Sequence, residues 1–167
     1  MKTLLILRHA KSSWDDASLT DHERPLNPRG LKTAPLMGAL LKSNKLVPDI
    51  ILSSTALRAV ETARLVAKSA EFNKKIPAVA SLYPGDPISY IETLKTQTSA
   101  QSIMVIGHNP GLEDLVYTLT GHKHDLPTAA LAHVQLPIGH WSQLTPKTKG
   151  TLVDIFRPKE IFKELSE

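Results

Sequence analysis

The chain has 167 residues, is 41% hydrophobic and contains no cysteine. That is enough apolar material for one buried core, and it excludes disulfides, thiolate metal sites and cysteine nucleophiles. The formal net charge of +4 comes from 20 basic and 16 acidic residues interleaved along the sequence, with only 5% aromatics, so a nucleic-acid-binding face of clustered cations and stacking rings is not expected, whereas a local cationic pocket for a small anion fits.

In chain order, the first element is Leu4–Leu7, an aliphatic run that reads as a strand buried on both faces of a mainly parallel sheet. Arg8, His9 and Lys11 end that run and no small-residue cleavage site follows, so a secretory leader is not expected. No stretch approaches the roughly 20 apolar residues of a membrane span, and the expected compartment is cytoplasmic. Residues 28–45 have a helical pattern that contains Pro35, which predicts a kink or a late start. Asp49–Leu52 is a second buried strand. The clearest helix is Ala56–Ala70, where Ala56, Val60, Ala63, Ala67 and Ala70 form an apolar stripe opposite Arg58, Glu61, Arg64 and Lys68. Asp86–Thr98 is helical in pattern, Ser102–Ile106 is a third buried strand, and Pro110–Thr120 is a helix with Pro110 near its first turn and Gly121 as its stop. Leu131–Leu136 and Thr151–Phe156 alternate more, as edge or antiparallel strands do. This alternation predicts an α/β fold, a three-layer α/β/α sandwich with a mainly parallel central sheet, as a single domain over residues 1–167.

In open parallel sheets, ligands bind beyond the carboxyl ends of the strands. Leu4–Leu7 is followed by Arg8 and His9, Asp49–Leu52 by SSTALRAVETAR with Arg58, and Ser102–Ile106 by GHNPGLE with His108. If these strands are neighbours, Arg8, His9, Arg58 and His108 face one pocket. Arg58 falls in the first turn of its helix, where the macrodipole disfavours a cation unless an anion binds there. Arginine forks suit phosphate oxygens, and a histidine among such cations stays neutral, with a ring nitrogen free to attack. Singly, each residue has a simpler reading: Arg8 and Lys11 as a solvated strand end, Arg58 paired with Glu61, His108 capping the loop at Pro110. Three coincident strand ends favour the pocket. His122, His124 and Asp125 in GHKHD fall short of a metal-binding set, so no metal or other cofactor is expected. Trp14, Trp141 and the remaining histidines read as packing or surface residues.

These stretches together resemble the histidine phosphatase superfamily. LRHAKSSW is similar to its RHG-type signature with Ala10 in place of the usual glycine, SSTALRAVETA to its second-arginine motif and GHNPGLE to its second-histidine motif. In order, spacing and short length the chain is most similar to the SixA-type phosphohistidine phosphatases. The resemblance implies a phosphoglycerate-mutase-like fold in which His9 becomes phosphorylated while Arg8, Arg58 and His108 bind the phosphoryl group. LTDHERPLNPRG resembles the SixA-type loop, which implies that Asp21 and Arg24 bind substrate; an ordinary surface salt bridge is the equal alternative. Larger members insert a segment carrying a general acid, for which this chain has little room. By chain order Asp86 in LYPGDP is a possible general acid and Glu92 a second, and both read equally as solvated acids at a helix start. The expected function is metal-independent hydrolysis of phosphohistidine in proteins by a monomer, with no nucleic-acid or membrane partner. The alternatives are a small-molecule phosphomonoesterase or mutase of the same fold, and a non-catalytic phosphate-dependent binding module.

Overall fold

The aliphatic run near the start of the chain forms β1 (Lys2–Arg8), in which Leu4, Leu5, Ile6 and Leu7 are all buried because both faces of the strand are covered. The computed structural model describes residues 1–163. After β1 come α1 (Pro28–Ser43), β2 (Ile50–Ser54), α2 (Leu57–Ala70), the two-residue β3 (Ala78–Val79), α3 (Pro87–Lys95), β4 (Ser102–Gly107), α4 (Gly111–Thr120), β5 (Leu131–Leu136), β6 (Thr151–Phe156) and the one-turn α5 (Pro158–Ile161). The strands form one sheet in the order β3-β2-β4-β1-β5-β6. β1 to β4 are parallel; β5 runs antiparallel to β1, and β6 antiparallel to β5.

The alternation of side chains along the strands divides the core between the two faces of the sheet. Leu5, Leu7, Ile51, Met104 and Ile106 pack with Met37 and Leu41 of α1 and Ala63 and Val66 of α2. Leu4, Ile6, Leu52, Ile103 and Val105 pack with Tyr90 and Ile91 of α3 and Leu112 and Leu115 of α4. The result is the three-layer α/β/α sandwich with a mainly parallel sheet that the pattern predicts. Because β2, β4 and β1 are adjacent in the sheet, the three strand ends that carry the singled-out residues open on one side of the molecule.

Several local expectations are corrected. α1 starts at Pro28 and continues through Pro35, so of the two expected outcomes the late start does not occur. Asn27 caps the helix by accepting the Gly30 N–H at 2.8 Å, and Pro28 at the first position presets the helical turn. The buried face of α2 keeps Ala63, Ala67 and Ala70 of the expected stripe, with Ala56 buried just before the helix, and departs from it at Val60 and Arg58. It comprises Arg58, Ala59, Thr62, Ala63, Val66, Ala67 and Ala70, while Val60 is 38% exposed. The alanine periodicity identifies the helix and most of its buried face but not Arg58 and Thr62, which hydrogen bonds to Asp21 and from the Ala10 N–H draw inward. The short β3 and α5 have too few residues to show a period.

Candidate active site

Backbone hydrogen bonds fix the strand ends. The His9 N–H donates to the Gly107 carbonyl at 3.1 Å, and the Ala129 N–H is shared between the carbonyls of Arg8 and His9 at 3.1 and 3.0 Å. The Tyr90 hydroxyl accepts the His108 N–H at 3.3 Å, and a Cβ on Gly107 would lie 1.9 Å from that hydroxyl oxygen. A glycine before His108 is therefore what lets the fully buried Tyr90 hold the histidine's backbone. Ala10, in place of the signature glycine, is buried and has no left-handed backbone. Its N–H donates to Thr62 Oγ1 at 3.0 Å, and that hydroxyl in turn donates to the Arg58 carbonyl at 2.7 Å, tying the His9 loop to α2.

Arg8, His9, Arg24, Arg58, His108 and Asn109 line a common cleft of about 300 Å³. The rings of His9 and His108 have centroids 5.1 Å apart. His9 Nδ1 lies 2.7 Å from the Ala10 carbonyl oxygen. Since a carbonyl can only accept, Nδ1 carries the ring hydrogen and Nε2 keeps its lone pair. Burial pushes the His9 pKa down to about 4, reinforced by the positive charges of Arg58, Arg8 and Arg24. Burial, with His9 and Arg58 adding to it, pushes His108 down to about 3. Ser54 Oγ contacts His108 Nε2 at 2.7 Å and accepts the Ala56 N–H at 3.1 Å. A hydroxyl that donates to Nε2 would leave the His108 hydrogen on Nδ1. Among the described residues, the buried side-chain polar atoms without a hydrogen-bond partner are Arg8 Nε, His108 Nδ1 and Asn109 Oδ1, all at this cleft.

Asp21 and Arg24 also belong to this arrangement. Arg24 Nη1 bonds Asp21 Oδ1 at 2.9 Å, and Arg58 Nη2 bonds Asp21 Oδ2 at 2.9 Å while its Nη1 donates to the Asp21 carbonyl at 2.6 Å. The Tyr83 hydroxyl donates to Asp21 Oδ2 at 2.5 Å. That hydroxyl, followed by the two arginines, holds the Asp21 carboxyl well below the usual carboxylate range. Arg24 is buried and lies under the Trp14 ring, its guanidinium carbon 3.2 Å from the ring centroid. The simple pairing of Arg58 with Glu61 does not occur; Glu61 accepts the Leu26 N–H at 2.9 Å instead.

Asp86 lies apart. Its carboxylate caps α3 by accepting the Ser89 N–H at 2.8 Å, and with Glu92 it lines a different cavity of about 760 Å³. Its hydrogen bonds with Ser89 lower its pKa, the opposite of what a proton donor needs. Among the described residues no group of three or more His, Asp or Glu side chains is placed to hold a metal ion, and no helix is long and apolar enough to cross a membrane.

The family sequence pattern described as Histidine phosphatase superfamily (branch 1) matches residues 4–79. An uncharacterised chloroplastic protein of Arabidopsis thaliana is 32% identical over 152 residues, covering 85% of this chain and 70% of that one. The structure of SixA from Agrobacterium tumefaciens superposes with a TM-score of 0.81 at 27% identity, over 94% of this chain and 98% of that one. A structure of the protein histidine phosphatase SixA complexed with tungstate gives 0.82 at 27% identity, over 95% and 99%. The chain belongs to the histidine phosphatase superfamily. Its likeness to these structures supports phosphatase activity.

In this histidine phosphatase the structure adds Ser54, Tyr83 and Trp14 to the neighbourhood. Ser54 has a readable signal, since it ends β2 immediately before α2. Trp14 closely follows the RHA stretch but was expected to be packing or surface; it is 77% exposed and covers Arg24. Tyr83 stands edge-on to both His22 and His108, with centroids 4.8 and 5.2 Å away, and nothing in its local sequence announces this. Trp141, by contrast, is the core residue expected, fully buried with its indole N–H on the Ala100 carbonyl at 2.8 Å.

The depressed histidines give this phosphatase a defined response to acid. An unfolded chain takes up a proton at each near the ordinary histidine value of about 6.5, whereas the folded chain resists until about pH 4 at His9 and about pH 3 at His108. The unfolded state therefore binds more protons in this window, and stability falls as pH falls through it. The urea midpoint is expected to be lower at pH 4.5 than at pH 7. A midpoint unchanged between them would contradict two buried neutral imidazoles.

Proposed function

We propose that this histidine phosphatase hydrolyses phosphohistidine in proteins through a phosphohistidine formed on His9, without a metal ion. The observation that carries the reading is the Nδ1 contact to the Ala10 carbonyl, which leaves a neutral ring with its lone pair on Nε2. In the first step Nε2 attacks phosphorus as the substrate's P–N bond breaks, and the departing imidazole takes a proton from solvent. In the second, water attacks phosphorus, the bond to His9 breaks and inorganic phosphate leaves. Arg8, Arg58 and the His108 Nδ1 hydrogen face the transferred oxygens and stabilise their charge. Arg24 and Asp21 hold Arg58 in place. That a similar protein histidine phosphatase forms a complex with tungstate, a tetrahedral oxyanion, supports phosphoryl binding by this fold. In this reading the single domain expected from the length carries the whole reaction.

The leaving group sets the expected substrate order. Expelling an alkoxide calls for a general acid, typically worth about 10²–10⁴-fold. The carboxylate that reaches the site, Asp21, is ionised and engaged by two arginines and Tyr83. A phosphoramidate has a weak P–N bond and a leaving imidazole that solvent can protonate. Phosphohistidine is therefore the preferred substrate, activated aryl phosphates come next and alkyl phosphates last, with aryl rates rising steeply as the phenol becomes more acidic. Assays of a phosphohistidine-bearing protein and a panel of esters, all with chelator present, test this. Asp86→Asn leaves phosphohistidine hydrolysis unaltered. Efficient hydrolysis of a sugar phosphate, strongly reduced by Asp86→Asn, would replace this reading with a small-molecule phosphatase.

A further inference from the structure

Beside the His9 cleft lies a second cavity of about 380 Å³, lined by Arg8, Lys11, Arg29, Thr33, Thr128 and Lys159 among others, with no acid among the described residues of its lining. Arg8, Lys11 and Thr128 line both spaces, so the two are contiguous across these side chains. The approach of Arg29 to Lys11 is fixed by the backbone. The Asn27 N–H donates to the Lys11 carbonyl at 2.9 Å, and a Cβ on Gly30 would lie 2.2 Å from that same oxygen. Only a glycine at position 30 allows the start of α1 to close on the loop after His9, which brings Arg29 to the cavity wall. Lys159, which also lines the cavity, follows the buried Pro158 at the start of α5.

Four cations thus converge on one small space. Among the described residues the side chains of Lys11, Arg29 and Lys159 make no ion pair and no hydrogen bond, in contrast to Arg24 and Arg58. Glu113, the acid whose charge acts on Arg8, holds the Leu126 N–H at 2.7 Å and does not line the cavity. Like charges gathered around a recess focus a positive potential into it, and an anion relieves their repulsion. The phosphoryl group itself is already accounted for by the His9 cleft.

We propose that this second cavity is an anion subsite that takes a carboxylate carried by the same substrate whose phosphoryl group enters the His9 cleft. Under the proposed function, on which the identity of the substrate rests, that carboxylate is an acidic side chain close to the phosphohistidine. The subsite selects phosphohistidines in acidic surroundings over those in neutral ones. It takes no part in bond making or breaking.

Two measurements test the subsite separately from the reaction. The first follows inhibition of aryl-phosphate turnover by a series of alkyl phosphonates and by the same chains ending in a carboxylate. At one chain length or more the carboxylate improves inhibition of the parent about tenfold, the scale of one charge-assisted contact. The improvement is lost in Arg29→Gln/Lys159→Gln and reduced in Lys159→Gln, a change at an exposed position that keeps the test valid if the double variant unfolds. Comparing inhibitor pairs within each variant cancels any change in basal rate. A carboxylate that helps at no length, or helps the variants as much as the parent, overturns the subsite. The second measurement compares phosphohistidine peptides flanked by glutamate with those flanked by alanine. The glutamate peptides have about tenfold higher kcat/KM with the parent and no advantage with Lys159→Gln. Equal turnover of the two peptides by the parent overturns the assignment to an acidic side chain. No turnover of either, beside a positive phosphonate result, overturns the proposed reaction and leaves the subsite standing.

Discussion

His9→Ala is expected to abolish turnover and phosphoenzyme formation together, a loss on the order of 10⁶-fold, the scale found when a hydrolase loses its covalent nucleophile. The ring is buried, neutral and oriented by the Ala10 carbonyl, so Nε2 is a ready nucleophile at neutral pH. On the proposed mechanism the neighbouring His108 does not duplicate it: its Nε2 faces Ser54 and its Nδ1 carries the ring hydrogen. Rapid quenching of the parent with labelled substrate should leave label on the protein that survives alkali and is released by acid, as a phosphoramidate does. Label on the alanine variant, or normal turnover by it, would remove His9 as the nucleophile. A parent that binds phosphate but never turns over would instead be a binding module. Because the substitution leaves the Ala10 carbonyl without its ring partner, a melting curve accompanies the assay to show that the variant is folded.

Arg58→Ala is expected to lower kcat/KM by about 10²–10³-fold, equivalent to roughly 2.7–4 kcal/mol of transition-state stabilisation. Its side chain, at the start of α2, is buried, and both terminal nitrogens are already positioned by Asp21. Lys68→Ala, at an exposed position near the far end of the same helix, serves as the control, since surface changes alter stability by no more than about 0.5 kcal/mol. A second readout separates lost charge from mere disorder. Arg58 is one of the charges that hold the His9 pKa down, so the His9 titration seen by NMR should move up in Arg58→Ala and stay in place in Lys68→Ala. Equal, small effects of the two substitutions on kcat/KM would show that Arg58 does not face the transferred group.

The parts of the site that were legible in the sequence are those delivered by buried strands. Leu4–Leu7, Asp49–Leu52 and Ser102–Ile106 are long enough aliphatic runs to announce themselves, and a parallel sheet puts whatever follows them at one edge. The sheet order then makes Arg8, His9, Arg58 and His108 neighbours. What could not be read is whatever depends on the path of a loop. Asp86 shows why: an aspartate before Pro87 looks the same in sequence whether it donates a proton or caps a helix, and the structure uses it as a cap. Tyr83, three residues earlier, reaches Asp21 instead, a contact 62 residues away in the chain. The helix α2 hides the burial of its Arg58 for a related reason. Its alanines can face a core or a neighbouring helix equally well, and only the hydrogen bonds from Ala10 to Thr62 and on to Arg58 show which side belongs to the site.

The grip of Asp21 on Arg24 and Arg58 bears on how tightly a phosphoryl group can be held. A free arginine side chain gives up about 2 kcal/mol of rotamer entropy when a ligand immobilises it. Here two guanidiniums are immobilised before any ligand arrives, by one carboxylate with a hydroxyl behind it and an indole ring over one of them. That ordering takes place once, during folding, and is not repeated at each turnover. A small cleft with few contacts can then bind an anion with a larger share of its electrostatic attraction intact.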